Sequence, residues 1–402
     1  MQPRETMRSL PRLVQPYLTW VTGVPLEGDR QLIPWSPAKA GALGIVQIAG
    51  GIALGAFATS SFTAWSVPLL VLSWLLTSGG MRRLDVVVVH QTLHQMFVRS
   101  ARGNRMIGEL VTTVLWRMPY DDNRKEHLLH HQYPCSMKDA DTVYLLSTGM
   151  RPGMSRAEFR RYLWRALLSP RHHWGFFSGR IRSNFVGNVP AYRLAMSLAF
   201  LVLTGTFLAL TGLWVQWLLL WVVPVSVMFQ GATYLYTMTE HRWWIFDNAE
   251  RLTKRQRDLL TFGRLCGEPV PDTTGAGALR RASTWALWWL RIVLVHSPYR
   301  LFVLVGDTVQ HDLHHVRPSC DWANSAYVRS ADISAGSDRY TDVWGSLVDH
   351  LHAGGSVAVP ATAELAARVA AARQGVAPVA QPRADGARGR RGRQERLQGV
   401  AS

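Results

Sequence analysis

Nine histidines carry most of the chemistry that can be read in this 402-residue chain. They fall as His90-Gln-Thr-Leu-His94, His127-Leu-Leu-His130-His131, a lone Glu240-His241, and His311-Asp-Leu-His314-His315. Imidazole is the usual nitrogen ligand for first-row metals, and nine of them are more than one ion takes. Residues three and four apart share a helix face, so each group can present its histidines together. Each triplet can give one histidine to one ion and its neighbour to a second. Three such helices converging with His241 would enclose two metals.

The choice of metal narrows by exclusion. A structural zinc site is closed by four ligands, often thiolates, whereas Cys135, Cys266 and Cys320 are dispersed without a CxxC pair. A zinc peptidase helix needs HExxH, and here Gln91 follows His90. Bis-histidine haem would place single histidines inside spans rather than tandem pairs outside them. Carboxylate-bridged di-iron bundles use Glu-x-x-His, and the chain has no such tetrad. A histidine-rich pair of iron ions is what remains, with open positions where dioxygen can be activated to attack an aliphatic C–H bond.

The elements that must position these residues follow from where charge is missing. No Asp, Glu, Lys or Arg occurs from Ala40 to Met81 or from Leu194 to Thr239. A span takes about 20 apolar residues, so each stretch predicts two passes, turning at Thr59-Ser60-Ser61 and at Thr211-Gly212. Lys39, Arg82, Arg83 and Arg193 flank the open ends, and the turns carry no basic residue. Positive flanks stay cytoplasmic, so both hairpins open to that side and every histidine group lies on one face. Asp85 to Arg99 predicts a helix emerging from the second span, and Asn104 to Met118 an amphipathic one. Trp285 to Val305, broken by Arg291, His296, Pro298 and Arg300, suits an interfacial helix pair.

The expected architecture is all-α and polytopic, with a helical cap carrying the metals. Residues 1–37 form an interfacial segment, and 38–330 the membrane domain with spans near 40–58, 62–80, 194–211 and 213–232. Residues 331–360 complete the cap, and 361–402 form a basic, unstructured tail. The net charge of +17 comes from arginines beside the membrane and in that tail. With no nucleic-acid-binding pattern beside it, the charge does not imply nucleic acid.

The three histidine boxes, their order and their place after two hairpins resemble the membrane fatty acid desaturase superfamily, over about residues 40–330. Asp139-Ala-Asp141 matches the acidic pair that often trails the family's second box, and Thr239-Glu240-His241-Arg242 the lone histidine after the fourth span. The resemblance implies that His90, His94, His127, His130, His131, His241, His311, His314 and His315 bind two non-haem irons. It also implies dioxygen as oxidant and an alkene or alcohol as product. Desaturation of an acyl chain on CoA, a carrier protein or a lipid is the favoured reaction. A hydroxylase or ketolase of a lipid, carotenoid or specialised metabolite is the alternative, and a non-catalytic metal carrier a distant one.

Ligating histidines usually give their second N–H to a carboxylate or carbonyl. Glu126, Asp139, Asp141, Glu240 and Asp312 are the candidates, with Asp85 and Asp307 weaker. Several relatives carry Asn one turn before the lone histidine, where this chain has Thr237. Arg317, in Val316-Arg317-Pro318, points to an anionic or polar group on the substrate. His172, His173, His296, His350 and His352 lack a helical triplet and are not expected to bind metal. The chain contains no electron-carrier motif, so a separate ferredoxin and reductase are implied as partners alongside the bilayer.

Overall fold

The computed structural model describes residues 2–151, 154–243 and 252–355. The expected tail, 361–402, lies outside them. The chain is mostly helical. Near the N-terminus α1 (Gln15–Thr22) buries Leu18 and Val21 in a cluster with Leu265 and Val309, so this segment joins the folded core.

The first long helix, α2 (Pro37–Ser60), starts where its sequence says it should. The Ser36 side chain accepts the Lys39 N–H, and Pro37 occupies the first turn, where a missing N–H costs nothing. It runs back along α3 (Ser66–Arg83), and small residues set the distance between them. A Cβ on Gly51 would lie 2.3 Å from Thr77 Oγ1, and one on Gly80 2.6 Å from the Gly44 carbonyl. Ser73 Oγ donates to the Gly51 carbonyl at 2.7 Å. Close backbone approach through glycine and serine is how helices associate where lipid removes the hydrophobic drive.

From α3 the helix continues through a π turn, Leu84–Val89, into His90–Leu93. It stops there, short of the expected Arg99, because Gln95 turns left-handed at φ 63°. The amphipathic helix α4 (Ala101–Val114) and the second box on α5 (Tyr120–Gln132) follow. An insert ending in α6 (Pro170–Phe185) leads to α7 (Ala191–Thr211), which Gly212 closes at φ 71°. The return helix is α8 (Trp214–Glu240). Then come α9 (Ala278–Phe302), α10 (Gly306–Val316), α11 (Ser325–Ser334) and α12 (Leu347–Gly355).

Among the described residues three helices, α2, α7 and α8, are long and apolar enough to cross a membrane. Val46, Phe57, Val202, Leu203 and Leu210 stand exposed on them, as lipid-facing side chains do. The expected span at 62–80 corresponds to α3, which falls short of that apolar length because Arg82 and Arg83 close it. The pair α9 and α10 bends by 101° and counts as a fourth candidate only as a broken or re-entrant span. The stretch from Trp285 to Val305, expected as an interfacial pair, is instead one helical run of α9 to Phe302 followed by the bend.

One feature departs from the all-helical expectation. Strands β1 (Gly263–Cys266) and β2 (Asp342–Gly345) pair in parallel, Gly263 opposite Asp342. Four residues buried on both faces carry no alternation, so sequence periodicity gives no sign of them.

Candidate metal centre

All nine histidines meet. They form two groups in which one ring nitrogen from each member lies within 4.8 Å of the others. His90, His94, His127, His131 and His314 make the first, and His130, His241, His311 and His315 the second. Helix geometry explains the division. At 100° per residue, i and i+4 point about 40° apart, while i+3 falls on the other side of i. On α5 the pair His127/His131 therefore faces the first group and His130 the second. On α10 the assignment reverses: His311/His315 face the second group and His314 the first. His241 follows the last turn of α8 in extended backbone, bridged to Thr261.

The ring nitrogens face each other rather than hydrogen-bonding outward. Nε2 to Nε2 distances are 2.6 Å for His94–His127, 2.7 Å for His90–His314, 2.9 Å for His314–His131, 3.0 Å for His241–His130 and 3.1 Å for His131–His127. Two nitrogens at right angles, each about 2.1 Å from an ion, lie about 3 Å apart. The donor set thus fits metal ions. His311 Nε2 and His315 Nε2 are also buried with no hydrogen-bond partner among the described residues, a costly state unless a ligand is met. Burial lowers the His94 imidazole to about 4, with Arg124 adding to it. Burial and then neighbouring histidines lower His127 and His131 well below the usual value, so their lone pairs are free at neutral pH.

The carboxylates sort less evenly. Asp139 Oδ1 lies 3.1 Å from His130 Nδ1, and the Cys135 N–H, Asp141 N–H and Thr142 hydroxyl hold Asp139 in place. Burial disfavours charge on His130, but Asp139 outweighs it and raises this imidazole to about 10. Asp141 lies 3.6 Å from the same nitrogen, and Glu240 Oε1 lies 3.8 Å from His311 Nε2. Asp312 turns away from the histidines: Arg329 grips both its oxygens, and Arg329 also holds Asp342 of β2. Asp307 accepts from Gln91, and Asp85 pairs with Arg117. Thr237 is buried, and its carbonyl accepts the Trp243 indole N–H. Glu126 lies on the rim of a cavity beside α5.

Arg317, expected to meet a substrate anion, is half exposed and paired with Asp332. His172 bonds Tyr144, His173 the Leu167 carbonyl, and His350 both Tyr299 and the Val343 carbonyl. These three, with His296 and His352, stand outside both groups. Sequence reasoning missed Arg329, which anchors the third box from 17 residues downstream. An arginine on a mixed helix gives no signal of that role.

The sequence model of the family described as Fatty acid desaturase matches residues 63–268. That is just over half of the chain, which therefore belongs to this family. The match holds the first two boxes and His241 but ends before the third box, which the fold brings to the same place. No curated protein matches the chain significantly.

Proposed function

We propose that this member of the fatty acid desaturase family is a di-iron oxidase that uses dioxygen to place a double bond in an aliphatic acyl chain. The observation carrying this reading is the division of nine histidines into groups of five and four that share α5 and α10. Iron, when bound, supplies the activation of dioxygen that makes an unactivated C–H bond reactive. The nine histidines would hold it: burial keeps the lone pairs of eight free, and His130, whose charged form Asp139 favours, would give up its Nε2 proton on binding. Asp139 accepts a hydrogen bond from His130 Nδ1–H and fixes that ring. Glu240 sits where it can hold a proton beside His311, and Thr237 can hold a water near His241. Asp312 acts through Arg329 by fixing α10.

In this reading the hairpins α2/α3 and α7/α8 open toward the cytoplasm, and the histidine cap lies on that face. The insert before α7 borders the cavity beside the second box, with Lys138, Val186 and Val189 in its wall. This supports a role in admitting the acyl chain, whose carrier is CoA, a carrier protein or a lipid. Electrons come from a separate ferredoxin and its reductase, with acidic donors matched to the basic chain.

Metal analysis and Mössbauer spectroscopy of the detergent-solubilised protein, beside His130→Ala, test this. Two irons per chain with a coupled ferric signal, lost in the variant, are expected. Zinc, or one weakly held ion, would overturn the reading. Product analysis under oxygen then separates an alkene from an alcohol.

A further inference from the structure

Three guanidinium groups surround one fully buried ring, Phe229. Arg180 Cζ lies 4.8 Å from its centre, and Arg82 and Arg117 each 5.8 Å. Arg117 and Arg180 also flank Phe176, at 6.0 and 5.0 Å. Asp85 is the carboxylate in direct contact with them, its Oδ2 3.3 Å from Arg117 Nε, and Glu240 also favours charge on Arg82. The other contacts of Arg82 and Arg180 are neutral: Arg82 donates to Thr233 Oγ1 and the Val303 carbonyl, and Arg180 to the Val225 carbonyl.

Arginine does not lose its proton in proteins, so three cations, two of them buried, have one carboxylate in direct contact. Ring faces offset only part of the lost hydration. Several donors are also unspent. Arg82 Nε and Arg180 Nε and Nη2 are buried with no hydrogen-bond partner among the described residues, whereas Arg117 Nε faces Asp85. Planar N–H pairs of this kind match the oxygens of a carboxylate or phosphate. The backbone adds a second sign: Trp116, just before Arg117, adopts φ 53°, a conformation kept where the surroundings impose it.

The cluster adjoins the histidines. Arg82 also lies 4.7 Å from the centre of Tyr236, whose ring is 6.4 Å from that of His311. A cavity of about 590 Å³ has Met118 and Ser183 in its wall, one residue from Arg117 and three from Arg180, with Leu129 and Val189 as apolar lining.

We infer that Arg82, Arg117 and Arg180 form a binding site for the anionic head, carboxylate or phosphate, of an amphiphile. That the amphiphile is a substrate rests on the proposed function; the binding itself does not. The test therefore uses the full chain in neutral detergent without added iron, so its failure is separate from failure of the oxidase reading. Delipidated protein is titrated with hexadecanoate, hexadecyl phosphate and hexadecanol, followed by tryptophan fluorescence.

The anions are expected to bind about 10-fold or more tighter than the alcohol. Arg180→Gln should reduce them to the alcohol's level, and Arg180→Lys should fall between, because it keeps charge without the fork. Unchanged hexadecanol binding in both variants shows that the fold is intact. Mass spectrometry before delipidation separates the sources. A phospholipid retained by wild type and lost in Arg180→Gln marks a membrane lipid, whereas none retained, with hexadecanoate preferred, marks a substrate head. Equal affinity for acid and alcohol in wild type, or a preference surviving Arg180→Gln, would overturn the inference.

Discussion

The five-histidine and four-histidine groups share α5 and α10 yet sit in opposite surroundings. Four of the five are partly accessible, whereas all four of the other group are buried. The buried group has one histidine fewer, and its carboxylates, Asp139 and Glu240, lie against it. The outer group has more ligands; the inner one has fewer, all shut away from water, with one of them, His130, held by Asp139. An ion in the first can lose a side chain and keep four, while an ion in the second cannot spare any.

That contrast sets the largest expected effect. His315→Ala should cost the inner ion and about 10³-fold or more in activity, with metal content falling from about two per chain to about one. His94→Ala should keep close to two. Equal losses on metal analysis would erase the distinction between the groups. Next, Asp139→Asn should weaken metal binding by about 10- to 100-fold, in the inner group alone. Competition with a chromophoric chelator reads this, and a uniform loss across both ions would mean that the carboxylate serves the whole centre.

In the intact protein the same chelator should strip the accessible ion first, in a biphasic release. A single phase would show that burial does not order the two. The smallest effect concerns a histidine that belongs to neither group. His350 is buried, and both its nitrogens are already bonded. His350→Asn should leave metal content unchanged and cost about 1–3 kcal/mol of stability. Burial lowers this imidazole to about 3, so the folded state binds fewer protons than the unfolded one. Its contribution is complete above about pH 6.5 and shrinks as pH falls toward 3. Unfolding midpoints of wild type and variant should therefore converge on acidification; a constant gap would show that the proton is not the cause.

Much of this centre could be read from spacing, since i, i+3 and i+4 fix which histidines can share an ion. The reversed assignment on α5 and α10 could not, because it depends on how the two helices are rotated against each other. The apolar stretches of α2, α3, α7 and α8 all stand out by their lack of charge, although α3 falls short of the others in apolar length because it ends in Arg82 and Arg83. Among the carboxylates, Asp139 was legible from its nearness to the second box. Asp312 was misleading: it is next to His311 in sequence but faces Arg329. The β1/β2 ladder joins residues far apart through four-residue segments that carry no pattern.

The ladder also bears on when the protein can mature. Arg329 and Asp342 hold Asp312, and β2 pairs with β1, so the third box gains its anchors only after residue 345 has left the ribosome. By then both apolar hairpins have been synthesised, and the first two boxes have waited without their partners. Contacts of such sequence separation form late. In the proposed reading, metal loading therefore waits until β2 has emerged, and a chain interrupted before it would hold both apolar hairpins yet have no finished place for its ions.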